Sequence, residues 1–266
     1  MNSIRTIIVI TAVALTGCAS TSASNPADPL EPINRGIYKF NDSVDKAVIK
    51  PVALGYKAVM PTAGRIMVSN FFSNLDDVVV TANDLLQFKL VQGFSDGMRF
   101  IVNTTIGVFG LIDVASTGGL KKHNEDFGQT LGKWGVGNGP YVVLPILGPS
   151  TLRDSIGLYA DGYTSPMYRM ENMRARNQVY LTRGINRRTE LLDQEKVLNE
   201  AMIDPYTFMR DAYLLHRLSQ VYDGNPPRPR YDDEESDDTV LPQPSPATNT
   251  PPSSTTEDHP SAAAPR

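Results

Sequence analysis

Along most of the chain, apolar side chains recur with the period of a helix. Ile33, Ile37, Phe40, Val44 and Val48 are three or four positions apart, with Arg35, Lys39, Asp42 and Asp45 between them, which predicts one amphipathic helix. Asp28-Pro29-Leu30-Glu31 has the order of an N-cap, a first-turn proline and an N3 glutamate, and Lys50-Pro51 is predicted to end the helix. A second stripe, Leu75, Val78, Val79, Ala82, Leu85 and Leu86, predicts a helix entered through Ser73 or Asn74 as its cap. The stretch from Phe94 to Ala115 begins amphipathically at Phe94, Met98 and Val102, then becomes apolar nearly all round from Thr105 to Ile112. A helix of that kind is expected to be buried in protein or in lipid. Asp204-Pro205 opens a last helix, whose Phe208, Ala212, Leu215, Leu218 and Tyr222 share a face until Gly224 stops it. The best strand candidate, Tyr141 to Leu147, contains Pro145, which excludes a central strand. The predicted class is therefore mainly α, with little or no β.

The two ends stand outside this pattern. Residues 1–17 read as a signal peptide, with Arg5 as the basic start and Ile7 to Leu15 as an apolar stretch too short to span a bilayer. It ends in Leu15-Thr16-Gly17-Cys18, the lipobox order of a bacterial lipoprotein, and Cys18 is the only cysteine, so its thiol is expected to carry the lipid. Ala19 and Ser20 follow, neither of them the aspartate that retains such proteins at the inner membrane, so outer-membrane sorting is expected. Residues 18–27 then form a lipidated linker, and no disulfide can brace the fold. At the other end, residues 224–266 are rich in Pro, Ser and Thr and carry the run Asp232-Asp233-Glu234-Glu235. Such a segment is expected to stay disordered, leaving residues 28–223 as one helical domain.

Charge and candidate chemistry narrow the function further. The net charge of −4 at pH 7 comes from the tail, and a body balanced in charge argues against nucleic-acid binding. His123, His216 and His259 lie far apart in sequence, so no metal site is predicted and each is read as a surface residue. Ser150 follows Gly148-Pro149 without the flanking glycine of a nucleophile elbow. Gly135-Val136-Gly137-Asn138-Gly139 lacks the strand before and the helix after that a phosphate loop requires. Asp76-Asp77, Glu125-Asp126 and Asp154 with Asp161 are better read as helix caps or solvated faces than as acid-base pairs. The arginines between Arg169 and Arg188 read first as a solvated face and second as a contact for anionic headgroups or an acidic carrier. No enzyme and no cofactor are predicted.

Several blocks together resemble the MlaA/VacJ family of outer-membrane lipoproteins. They are the lipobox at Cys18, Asp28-Pro29-Leu30-Glu31-Pro32-Ile33-Asn34-Arg35, Val68-Ser69-Asn70-Phe71-Phe72-Ser73-Asn74-Leu75, and Arg99 to Gly107 leading into Gly110-Leu111-Ile112-Asp113-Val114-Ala115. The most specific runs from Asp126-Phe127-Gly128-Gln129-Thr130-Leu131-Gly132 through Trp134-Gly135-Val136-Gly137 to Gly139-Pro140-Tyr141-Val142-Val143-Leu144-Pro145, and closes at Gly148-Pro149-Ser150-Thr151-Leu152-Arg153-Asp154. The acidic tail falls outside the family pattern.

The resemblance implies a helical ring set in the outer membrane with an amphipathic channel through its middle. Phospholipid from the outer leaflet would pass through it to a soluble periplasmic carrier of the MlaC kind, and a trimeric porin would hold the ring. Membrane contact also fits two apolar segments too short to span, Phe100 to Ile112 and Tyr141 to Leu147. Gly135, Val136, Gly137, Gly139, Pro140, Tyr141, Val143, Leu144 and Pro145 are expected to form a hairpin bordering the channel, its glycines giving freedom to the backbone. The first helix, at Phe40 and Asn41, is expected to govern the opening. The alternative is a structural lipoprotein that binds a porin or the cell wall without moving lipid.

Overall fold

A computed structural model of the chain describes residues 28–201 and 203–227. The signal peptide, Cys18, its linker and the tail beyond 227 lie outside the described residues. The described chain is mainly helical: α1 Glu31–Val44, a π-helical turn Asp45–Ile49, α2 Lys50–Val59, α3 Thr62–Leu86, α4 Leu90–Thr105, the short α5 Val114–Thr117, α6 Phe127–Lys133, α7 Leu152–Thr164, a 3₁₀ turn Pro166–Arg169, α8 Met173–Ala201 and α9 Pro205–Val221. Strands β1 Tyr141–Leu144 and β2 Gly148–Thr151 pair antiparallel, with Tyr141 opposite Thr151 and Leu144 opposite Gly148. Helix α3 packs most extensively on α4, α6 packs on α7, and α2 and α3 both lie against α8.

Four sequence expectations change in detail. The first helix does not stop at Lys50-Pro51: α1 runs through the π turn directly into α2, with the Lys50 N–H donating to the Asp45 carbonyl five residues back. That wider turn absorbs a proline that has no N–H to give and whose ring would strike a carbonyl in a regular helix. Asp28 does not cap α1, which begins at Glu31 with no side-chain cap, and Ser73 and Asn74 lie inside α3 instead of at its start. The predicted apolar helix from Phe94 to Ala115 is two elements, because α4 ends at Thr105 and the chain turns through Val108, Phe109 and Gly110, all at positive φ. A Cβ on Gly107 would stand 2.1 Å from the Ile112 carbonyl oxygen, so the turn closes where only glycine leaves room. Its Ile106, Val108, Phe109 and Ile112 are exposed and not buried in protein. The cap at Asp204 forms as expected, its carboxylate accepting from Tyr206 N at 3.0 Å, and Gly224 turns the chain beyond α9 at φ +81°.

The helical stripes face the opposite way from a water-soluble globule. Ile33, Phe40 and Val48 are more than half exposed, while Asn34 on the other face of α1 is buried. On α3 the buried side chains include Asn74, Asp77 and Asp84, with half-buried Thr81 completing a spacing of three, four and three residues; on α4 they are Asp96, Arg99 and Asn103. That is a heptad-like seam written in polar letters. Among the described residues, buried polar side chains outnumber buried apolar ones. Interiors of this kind hold only where nearly every group finds a partner. Arg99 bonds both Asp113 oxygens at 3.2 and 3.1 Å and Ser116 Oγ at 3.0 Å, while Asn103 donates to Asp113 at 3.0 Å and accepts from Ala115 N at 2.9 Å.

Candidate functional site

The site grows from β1 and the helix it leans on. Tyr141 and Val143 point inward and are almost wholly buried against Tyr206, with Tyr141 edge-on to Tyr206 and Tyr213 at 6.4 and 6.2 Å between ring centroids. Burial pushes the Tyr141 hydroxyl up to about 12. Between the strands, Pro145, Ile146 and Leu147 are exposed and make the tip. The Leu147 N–H donates to the Pro145 carbonyl at 2.8 Å across Ile146, which sits at φ +66°. That is a γ-turn with a β-branched residue at its centre, a strained conformation that needs outside support.

Helix α1 supplies the support. Asn34 Nδ2 donates to the Tyr141 carbonyl at 2.9 Å and Asn34 Oδ1 accepts from Val143 N at 2.9 Å. Asn41 repeats the pattern at the tip, donating to the Leu144 carbonyl at 2.9 Å and accepting from Ile146 N at 2.7 Å. Each amide acts as one rung of a neighbouring strand, satisfying backbone groups that an edge strand leaves open. Asn34 also donates to Asp28 Oδ1 at 2.8 Å, and the Tyr206 hydroxyl donates to Asp28 Oδ2, so the expected cap residue anchors the clamp instead. The structure thereby joins Asn41 to the hairpin, while Phe40 beside it projects half exposed.

The glycine block lies apart from that tip. Gly135 and Gly139 turn at φ +91° and +65°, and Gly135, Val136, Gly137 and Asn138 border a cavity of about 260 Å³ with Arg153, Leu218, Val221 and Tyr222. Gly139 packs close to Leu152, whose N–H bonds the Pro140 carbonyl at 3.1 Å. Of the nominated residues, Gly135, Val136 and Gly137 thus line one cavity, and Tyr141 and Val143 do not. A second, mainly apolar cavity of about 420 Å³ lies between α3 and α8, lined by Val68, Phe71, Phe72, Leu111 and Val179 together with Gln178 and Thr182.

Beneath the glycine cavity lies a charged knot whose members the sequence left unconnected. Arg217, 6% exposed, reaches both oxygens of Asp126 at 2.6 and 2.9 Å and both of Asp154 at 3.0 and 2.8 Å. Burial pushes both carboxyls up, yet hydrogen bonds and charge from Arg217 outweigh it and hold them below the usual range. Asp161 has no such cation, and burial raises it to about 6 despite bonds from Phe127 N and Asn83. Asp126 does cap α6 through Gln129 N at 2.8 Å. His123, read as a surface residue, is half-buried with Nδ1 2.8 Å from Asp96. Among the arginines, Arg183 pairs with Asp76 and Arg188 with Asp45 and Glu195, while Arg169, Arg174 and Arg187 are exposed.

A polar-seamed helical body that leaves many large apolar side chains uncovered, with a clamped hairpin, defines the class of fold, and comparison with known proteins gives the family. The family model described as MlaA lipoprotein matches residues 26–220, and the chain belongs to that family. It is 40% identical over 205 residues to the intermembrane phospholipid transport system lipoprotein MlaA of Escherichia coli, covering 75% of this chain and 81% of that one. The protein of the same description from Haemophilus influenzae is 34% identical over 224 residues, covering 81% and 89%. A chain solved in work on the structural basis for maintenance of bacterial outer membrane lipid asymmetry is 36% identical, with a TM-score of 0.65 over 74% of this chain and 99% of that one. The helical, ring-like fold implied by the sequence resemblance is the fold they share.

Proposed function

We propose that this protein is an outer-membrane lipoprotein, tethered through Cys18, that withdraws mislocalised phospholipid from the outer leaflet and passes it through an amphipathic channel to a soluble periplasmic carrier. A trimeric porin holds it in place, and no bond is made or broken. The observation that carries this reading is the reversed body, with exposed apolar side chains around a polar interior. In water that arrangement forgoes about 1.5–3 kcal/mol for each large apolar side chain left uncovered, whereas acyl chains cover them at no such cost. Among the described residues no helix is long and apolar enough to cross a membrane, so the apolar surface suits lodging in part of a bilayer. A moving lipid needs polar and apolar walls together. The cavity beside Gly135–Asn138 has both, with Arg153 and Asn138 facing Leu218 and Val221. The hairpin tip held by Asn41 next to Phe40, set apart from that cavity, is the part suited to open and close.

Two experiments test this. Deleting the gene should raise phospholipid in the outer leaflet of the outer membrane, measured by labelling intact cells, and an unchanged surface would overturn the reading. Cys18→Ser removes the tether but not the apolar belt, so the purified body should still require detergent; a body that is monodisperse in buffer favours a tethered module that moves no lipid.

A further inference from the structure

Asp84 closes the polar seam where α3 bends back into α4. It is fully buried, as is Asp96 opposite it on α4, and the two carboxyls are within hydrogen-bonding reach of each other. Neither oxygen of Asp84 has a donor, and neither does Asp96 Oδ1. The two helices approach closely here, since a Cβ on Gly93, one turn before Asp96, would come within 3.1 Å of Asp84 Cβ.

The surrounding charges are committed elsewhere. Lys89, from the link, pairs with Glu125 at 2.8 Å and with Asp223. Glu125 also accepts from Gln87 and Gln92, at 2.9 and 3.3 Å. His123 meets Asp96 Oδ2, which leaves Oδ1 as the oxygen without a donor. Further along the seam, Lys122 serves Asp77 and Arg99 serves Asp113; from α7, Asp161 meets Asn83, and from α6, Asp126 meets Arg217. Among the described residues no three His, Cys, Asp or Glu side chains are arranged to hold a metal ion. Two ionised carboxylates facing each other in a dry layer repel, while one proton between them turns repulsion into a strong hydrogen bond.

We propose that Asp84 and Asp96 share one proton, and that this proton latches α3 to α4 beneath the exposed apolar elbow of Phe88, Val91 and Phe94. Burial, with Asp96 second, pushes Asp84 up to about 8. An unfolded aspartate titrates near ~3.9, so between these values the native state holds a proton that the unfolded chain lacks. Stability contributed by the pair is complete below that lower value, falls as pH rises through the window, and levels off above the upper one. With the proton gone, two charges face each other and the elbow loosens. The pair thus makes the elbow sensitive to alkaline pH.

Infrared titration of the full-length protein in detergent tests this. Wild type should show the carbonyl band of a protonated carboxylic acid at neutral pH, bleaching as pH passes about 8, and Asp84→Asn should remove it. The wild-type melting midpoint should fall by several degrees from mildly acidic to mildly alkaline buffer, and that of Asp84→Asn should stay nearly level. Asp96→Asn, which removes the carboxylate that raises Asp84 most and leaves Lys89 and Glu125 in place, should move the bleaching at least about one pH unit lower. A wild type with no acid band at neutral pH, or Asp84→Asn keeping the same band and slope, overturns the shared proton. So would a stoichiometric divalent cation in purified wild type that Asp84→Asn loses, since the pair would then hold a cation instead.

Discussion

Asn34 and Asn41 stand seven residues apart on one face of α1, and each side-chain amide closes a two-bond ring with the hairpin backbone. Two helical turns rise about 10.5 Å, close to the three strand residues, about 10 Å, that separate the clamped carbonyls of Tyr141 and Leu144. The helix therefore measures the hairpin, and its two amides fix the register.

Removing either amide should free the hairpin, and unequally. Asn34→Ala strands a carbonyl, an N–H and part of the Asp28 carboxylate in a buried site, and about 2–3 kcal/mol of stability should be lost. Asn41→Ala acts at a half-exposed tip and should cost about 1 kcal/mol or less, yet it should raise amide exchange at Ile146 and Leu147 more than anywhere else. Hydrogen exchange across residues 141–147, set against the melting temperature, checks both.

Arg217→Met should be among the most damaging single changes, since it leaves Asp126 and Asp154 buried without their cation; about 3–5 kcal/mol is expected. The pH profile gives a second check. Both carboxyls lie below their ordinary value in the fold, so the stability they contribute is complete above ~3.9 and is lost as pH falls through their depressed values. Wild type should lose stability steeply on acidification, and a variant without Arg217 should show a shallower slope at the acid end. Equal slopes would show that the knot does not hold those carboxylates ionised.

Gly110 should not accept alanine. It sits at φ +84°, and an added Cβ would lie 2.5 Å from Asn74 Nδ2, so both backbone strain and overlap oppose the change. A loss of about 2–4 kcal/mol is expected in the melting curve, whereas Gly119→Ala, at φ +87° with open space around it, should cost about 1–2 kcal/mol.

Periodicity located the helices well and left open which side they hide. The stripe through Ile33, Phe40 and Val48 is real, yet these side chains face outward while Asn34 packs inside, because the surroundings that reward each face are not written in the spacing. The signal for the inner face was present in Asn74, Asp77, Thr81 and Asp84, whose separations repeat a helical seam. Pro51 misled because a π turn, invisible to a 3.6-residue rule, carries the helix past it. The hairpin expected over Gly135 to Pro145 from the family resemblance lies further along, at Tyr141–Leu144 and Gly148–Thr151, and its clamp was not legible: Asn34 and Tyr141 are 107 positions apart, and nothing local links an amide to a distant strand edge. Arg217 joins Asp126 and Asp154 across a similar gap.

The reversed seam of α3 and α4 bears on how this chain reaches its final form. Collapse in water would favour hiding Phe88 of the link and Val91 and Phe94 of α4, and a rotation of α4 that did so would turn Asp96 and Arg99 out to the solvent, away from their partners in the finished fold. The two rotations compete for one sequence, and the medium chooses between them. In the proposed membrane setting, the helices should pair this way only once acyl chains surround them, so that order of arrival would be as much a part of this fold as its contacts.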